Sequence, residues 1–251
     1  MKILAIFPGR YHPFHKGHAA SFKQLAQKFG LKNTFLAISA KQEQPDSPFS
    51  AKDRARMAEA LGVPTKNIIA VTSPYSAKEY SAIFEPMGYD PEHTALVFAV
   101  SQKDMITEGT DDPRFSFKPK KDGTPSYFQP WTGKTPISPM SKHGYVISTD
   151  VAEFPIAGKS NVKDASTIRR AYAGANTRKK IKILTDLYGE NAVEKMKPIF
   201  DNNLLVISEN IKAVVKKIKP LLSEATIEQK TRFVELLSEA KELLQENTSG
   251  D

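Results

Sequence analysis

The chain contains no cysteine. That excludes a disulfide framework, a thiolate zinc site and a cysteine nucleophile. Long apolar runs are missing too. No stretch approaches the roughly 18–20 apolar residues of a membrane-spanning helix, so no membrane association is expected. The first residues, MKILAIFPGRYHPF, carry too short an apolar run for a secretory signal and lack a small-residue cleavage site. The expectation is a cytoplasmic protein. Two common phosphate-binding loops are absent as well: there is no GxxxxGK followed by Ser or Thr, and no GxGxxG. Internal repeats are absent.

What is present is ordinary in bulk: 251 residues, 40% apolar and 25% charged. The length fits one large domain, or a domain of about 150–200 residues with an appendage. The net charge of +8 divides into +4 over residues 1–100, +3 over 101–175 and +1 over 176–251. It forms no basic tail of the nucleic-acid-binding kind, and a distributed positive field suits small anionic ligands as well as polyanions. Nucleic acid is therefore not the expected partner.

The first hundred residues alternate in type. Ile3–Phe7, Thr34–Ala40, Asn67–Thr72 and Thr94–Val100 read as short buried strands. Between them, Lys16–Phe29 has apolar residues at helical spacing with Gly30 as a stop. Ser50 and Asp53 cap a helix running to about Leu61, and Ala77–Met87 reads as a third helix. Strands alternating with helices predict an α/β fold, a Rossmann-like parallel sheet with crossover helices. Ligands then bind beyond the carboxyl ends of the strands, in the loops after Phe7, Ala40 and Val100.

Residues 101–142 interrupt the rhythm with six prolines and the basic–aromatic run Arg114–Lys121. This insertion reads as a lid, a plain loop, or a surface that stacks bases and tracks phosphates. Tyr145–Thr149 is a further strand. Helical signals return from Ser166, giving a helical C-terminal extension over 176–251. Its stripe Phe233, Leu236, Leu237, Ala240, Leu243 and Leu244 is suited to packing within the chain or on a second copy, a homo-oligomer.

The chemistry concentrates in Gly9-Arg10-Tyr11-His12-Pro13-Phe14-His15-Lys16-Gly17-His18, between the first strand and the first helix. His15 and His18 stand three apart at a helix start and share a face. The helix N-terminus offers unpaired N–H groups and the positive end of a dipole, so an anion there is held by backbone and side chain together. Gly17 permits close approach, and Arg10 and Lys16 add charge. By spacing, His12, His15 and His18 could instead ligate zinc, but the remaining histidines, His93 and His143, are distant and no protein-held metal is expected. A loop histidine is also commonly plain polar surface.

GRYHPFHKGH resembles the HxGH signature of the nucleotidyltransferase superfamily, in the form of the archaeal-type nicotinamide mononucleotide (NMN) adenylyltransferases and their bifunctional bacterial relatives. Ser47–Arg54 (SPFSAKDR) and Ser166-Thr167-Ile168-Arg169 resemble two further segments of that group, in the same order. The resemblance covers about residues 1–175. It implies a transferase that moves a nucleotidyl group from ATP or CTP to a phosphate-bearing acceptor, with Mg²⁺ on the nucleotide and pyrophosphate as product. His15, His18 and Arg169 would be catalytic. Gly9, Arg10, Lys16, Gly17, Ser166 and Thr167 would bind the nucleotide, and Asp53 and Arg54 would shape the substrate side. NMN adenylyl transfer, and with it NAD biosynthesis, leads. Cytidylyl transfer and phosphopantetheine adenylyl transfer stay open, as does a non-catalytic nucleotide-binding or assembly module. Asp164-Ala165 precedes the second signature, and Ser101-Gln102-Lys103-Asp104 follows the fourth strand; both depart from the group's usual pattern.

Overall fold

The computed structural model describes residues 1–43, 46–101, 115, 117–133, 136–149, 152–162 and 164–204, together with Thr226 and Thr231. Met1–Leu204 forms one compact unit and Leu205–Asp251 a second. The stripe at 233–244 lies outside the described residues.

The first unit is built on a six-stranded sheet in the order β3-β2-β1-β4-β6-β5. Its strands are β1 (Lys2–Gly9), β2 (Thr34–Ser39), β3 (Ile68–Val71), β4 (Thr94–Ser101), β5 (Phe128–Pro130) and β6 (Gly144–Thr149). Every neighbouring pair is parallel. The crossover helices are α1 (Lys16–Phe29), α2 (Ala51–Ala60) and α3 (Ala77–Phe84). Helices α4 (Ala165–Ala173) and α5 (Thr177–Tyr188) follow, then a helix over 193–204. A parallel sheet covered on both faces needs nearly continuous apolar strands, and β2 and β4 are buried almost throughout. Alternation along β1 sorts its side chains between two cores. Ala5 and Phe7 pack with α1, α2, α4 and α5, whereas Leu4 and Ile6 pack with Tyr80 and Phe84 of α3. The helices α5 and 193–204 belong to the first of these cores, so the compact unit extends past residue 175 to Leu204.

Topology locates the site. The chain leaves β1 for β2 and β3 on one side, then returns to β4 on the other side of β1. The strand order therefore reverses at the carboxyl ends of β1 and β4, where open α/β sheets form their ligand crevice. The β1–α1 loop, carrying the motif, begins there.

Two elements lay outside the periodicity reading. Inside the insertion, Phe128–Pro130 adds a parallel edge strand, and Phe115 is buried with Phe98 and Phe128. Three residues give no period to detect, and the edge position tolerates Pro130's missing donor. Because Phe115 lies in the core, its ring is not available to stack on a base. Arg114 and Ser116, in the same run, lie outside the described residues. The second element is a two-stranded antiparallel hairpin, β7 (Phe154–Ile156) and β8 (Lys159–Val162).

Arg54 fixes the loops at the sheet's carboxyl edge. It is a fully buried side chain whose Nε donates to the Ser50 carbonyl at 3.2 Å. Its Nη1 donates to the Arg10 carbonyl at 2.5 Å and its Nη2 to the Lys41 carbonyl at 3.2 Å. One guanidinium thus ties the ends of β1 and β2 to the start of α2. Burial pulls its pKa down to about 10, so it stays cationic at neutral pH. An ammonium cannot reproduce this three-way fork. Arg54→Lys should lower unfolding free energy by about 3 kcal/mol in chemical denaturation, leaving buried carbonyls without donors.

Candidate active site

The backbone from Arg10 to Phe14 is gripped at alternate carbonyls by three different helices. Arg54 of α2 donates to Arg10, Arg169 of α4 donates through Nη1 to His12 at 2.6 Å, and the Tyr188 hydroxyl of α5 donates to Phe14 at 2.6 Å. The late helix α4 and the β1–α1 loop are therefore joined directly, although they stand more than a hundred residues apart in sequence.

Gly9 and Tyr11 shape the start of the loop. Tyr11 adopts φ 54° and its ring folds back over Gly9, where an added Cβ would lie 2.5 Å from the ring. The Tyr11 hydroxyl donates to the Phe7 carbonyl at 2.8 Å. Gly9 thus makes room for an aromatic ring of the protein itself.

His15 occupies the N-cap of α1 with an extended backbone. His18, one turn on, accepts the His15 backbone N–H at Nδ1 over 3.3 Å, which places its proton on Nε2. The two imidazoles stack with centroids 3.7 Å apart. Tyr11 and Phe14 flank His18 at 5.0 and 5.4 Å, and Phe154 of the hairpin lies over His15 at 5.0 Å. His15 is fully buried; its side chain faces the His18 backbone N–H in a reciprocal capping box, but neither ring nitrogen makes a hydrogen bond of good geometry. Burial holds its pKa down at about 3. Burial, and then the neighbouring His15, hold His18 well below the ordinary value. Both are neutral at rest.

The other expected residues are placed as follows. Lys16 donates to the Asp186 carbonyl at 2.9 Å and lies 4.9 Å over the Phe154 ring, bridging α5 and the hairpin. Gly17 is buried in the first turn of α1, and Arg10 is exposed. Asp53 accepts from the Ser50 hydroxyl at 2.7 Å and lies 3.8 Å from Arg56. Ser166 and Thr167 begin α4, but Asp164 already caps it. The Asp164 carboxylate accepts the Ser166 hydroxyl at 2.6 Å and the Thr167 N–H at 2.7 Å. That carboxylate stands where an anion at the helix N-terminus would sit. The structure gathers Gly9, Arg10, His15, Lys16, Gly17, His18, Arg54 and Arg169 around one loop. Ser166 and Thr167 reach it only through the helix they share with Arg169.

Three residues at this site carried no role in nucleotide chemistry in the sequence reading. Asp164 was visible only as a departure from the second signature. Phe154 sits in a hairpin too short to register. His12, inside the motif itself, is buried and accepts the Phe49 N–H at Nδ1 over 3.3 Å. Among the described residues no group of three His, Asp or Glu side chains is placed to hold a metal ion. Cavities of about 500 Å³, lined by Arg56, Glu59, Ala60, Lys195 and Ile199, and about 340 Å³, lined by Ala157, Asn176, Arg178, Lys179 and Lys182, lie apart from the histidines.

A six-stranded parallel sheet with crossover helices and the histidine-bearing loop at its switch point defines a Rossmann-like α/β protein. Within it, residues 6–108 match the family model described as cytidylyltransferase-like. No curated protein matches. Among solved structures, the chain is similar to a bifunctional NMN adenylyltransferase/ADP-ribose pyrophosphatase from Francisella tularensis complexed with AMP and a manganese ion. The identity is 17% and the TM-score 0.43, over 90% of this chain and 57% of that one. A second structure of the Francisella bifunctional enzyme gives 15% and 0.46, over 90% and 58%. The chain thus spans under three-fifths of the length of those two. The Plasmodium falciparum nicotinic acid mononucleotide adenylyltransferase complexed with APC matches at 11% and 0.42, over 81% of this chain and all of that one.

The buried neutral histidines give the fold an acid limit. Their folded pKa lies below the unfolded value of 6.5, so their stabilisation is complete above 6.5 and is lost as pH falls toward about 3. Between pH 7 and pH 5, His12 and His15 should each remove about 2 kcal/mol of unfolding free energy. Denaturant titrations at the two pH values measure this, and His15→Phe should reduce the pH difference.

Proposed function

We propose that the chain is a nucleotidyltransferase that moves the adenylyl group of MgATP onto a phosphate-bearing acceptor, with NMN the leading acceptor. An acceptor phosphate oxygen attacks the α-phosphorus, the new P–O bond forms, the bond to the bridging α–β oxygen breaks, and pyrophosphate leaves. The observation that carries this reading is the Arg169–His12 hydrogen bond, which brings the second signature onto the first. The match of residues 6–108 to the cytidylyltransferase-like model supports the same class. The choice of NMN rests on the form GRYHPFHKGH.

The acceptor oxygen is already ionised near neutral pH, so no strong base is needed. The obstacle is the approach of two anions and the charge developing on pyrophosphate, and both are problems of position and field. His15 and His18 supply neutral N–H donors at the start of α1, and Arg169 and Lys16 supply charge. The magnesium ion is part of the substrate, neutralising the triphosphate it arrives with. Because His15 is sealed beneath Phe154, the nucleotide reaches it when the β7–β8 hairpin swings aside. Bound triphosphate then reverses the local field, and the histidine pKa values rise. NMR titration with and without a non-hydrolysable ATP analogue should show that rise.

A second reading, a non-catalytic nucleotide-binding or assembly module, is favoured by one observation: Asp164 occupies the anion position at α4 while His15 is closed to solvent. Pyrophosphate release separates the two. With Mg²⁺, ATP or CTP and a panel containing NMN, phosphopantetheine and phosphocholine, the proposal expects release with ATP and NMN, and the module reading expects none. His18→Ala should cut turnover by roughly 100- to 1,000-fold with a much smaller change in stability. Asp164→Ala should cost about 1 kcal/mol of stability through the lost cap and should tighten ATP binding in calorimetry by removing the competing carboxylate.

A further inference from the structure

His12 has properties that its hydrogen bond to Phe49 does not account for. It is 4% exposed, and because Nδ1 accepts the Phe49 N–H, its proton resides on Nε2. That Nε2–H is buried and has no hydrogen-bond partner. An unmet buried donor of this kind is costly to the fold. Three guanidiniums act on the ring, Arg54, Arg169 and Arg10 in decreasing order of influence, and Arg169 also donates to the His12 carbonyl at 2.6 Å. With burial, which is the larger cause, they hold its pKa at about 3. Compensating acids are slight. Asp46 lies 3.9 Å from Arg169 with its side chain 88% exposed, Asp164 acts on Arg169 from the α4 cap, and Asp53 lies beside Arg54. The ring lies against Phe49, near-parallel at 17°, on the α2 side of the loop, apart from the stacked His15–His18 pair. A neutral donor without an acceptor, set among cations without a buried counter-ion, is complementary to a phosphate.

We propose that His12 binds ligand directly, its Nε2–H donating to a phosphate oxygen of the acceptor while Arg10 and Arg169 supply the opposing charge. The residue thereby selects a phosphate monoester over the corresponding nucleoside. Naming this ligand the acceptor rests on the nucleotidyl-transfer reading; the binding of the phosphate does not. Arg54, whose three donor positions are engaged by backbone carbonyls, contributes field alone.

Two substitutions separate the donor role from the structural one. In His12→Asn the side-chain oxygen takes the place of Nδ1 and still accepts from Phe49, but nothing reaches the Nε2 position. In His12→Gln the amide nitrogen reaches that position. Calorimetry with NMN, nicotinamide riboside and inorganic phosphate should show NMN and phosphate binding to the wild type, with the riboside much weaker. NMN affinity should fall roughly 10- to 100-fold in His12→Asn and recover in His12→Gln, with ATP affinity unchanged in both. In long-range ¹H–¹⁵N spectra of the wild type, which need no variant to fold, the His12 Nε2 signal should shift with phosphate. Full NMN affinity in His12→Asn, or an Nε2 signal indifferent to both phosphate and NMN, overturns the proposal. If no acceptor releases pyrophosphate while phosphate still shifts Nε2, the transferase reading fails and this one stands.

Discussion

Everything at the candidate site depends on how the segment Arg10–Phe14 is held. Its carbonyls at residues 10, 12 and 14 each accept a hydrogen bond from a side chain on a different helix, Arg54, Arg169 and Tyr188. A loop of this length has no ladder to satisfy its backbone, and buried carbonyls without donors are costly. Here the donors are charged or buried, and each fixes one helix to the loop as well as the loop to the helix. The consequence is reciprocal positioning: α2, α4 and α5 are ordered around the first strand's exit, and the histidines that follow inherit that order.

This constraint also explains why two arginines in the motifs do different work. Arg54 has all three of its donor positions on backbone carbonyls and is fully buried, so it acts by geometry and by field. Arg169 gives one nitrogen to His12 and lies only 3.9 Å from an exposed carboxylate with another, which leaves it able to reorient toward a ligand. The resemblance implied a catalytic role for Arg169 and a substrate-side role for Arg54, without saying how each is held. Only the hydrogen-bond partners distinguish a staple from a hand.

The fold was largely legible from periodicity. The limits of α1 at Lys16 and Phe29 follow from its apolar spacing and from Gly30, and the four first strands follow from short apolar runs. Parallel order follows from alternation with helices. What escaped was short or compensated by tertiary contacts. β5 and the β7–β8 hairpin have three or four residues per strand, and their stability comes from pairing and from rings such as Phe128 and Phe154. Of the candidate site, the histidine pair stood out by its spacing at a helix start, and Arg169 only through the resemblance of Ser166–Arg169 to the second signature. His12 and Asp164 did not stand out, since a histidine before proline and an aspartate before a helix have ordinary meanings until their partners are seen. The resemblance implied that Gly9 binds nucleotide, whereas the group packed over it in this structure is the Tyr11 ring.

A resting site lined by neutral imidazoles and sealed by an aromatic ring has an energetic logic of its own. His15, being neutral, carries one buried N–H donor and one buried acceptor nitrogen without partners, and His12 carries one such donor. Each such group costs about 1–3 kcal/mol relative to a satisfied one, a sizeable part of the 5–15 kcal/mol by which domains are stable. On the proposed reading, satisfying the N–H groups with protein acceptors would lower that cost but would also fill the positions an anion takes, as Asp164 does at α4. On that reading, leaving them empty keeps the donors oriented and dry, so that the energy recovered on meeting phosphate oxygens would add to binding instead of going into rearranging water. The neighbouring rings serve this arrangement: Phe154, Tyr11 and Phe14 exclude solvent without offering competing acceptors from their aromatic faces. The depressed pKa values follow from the same enclosure, since a site dry enough to favour phosphate contacts disfavours imidazolium until the phosphate is there.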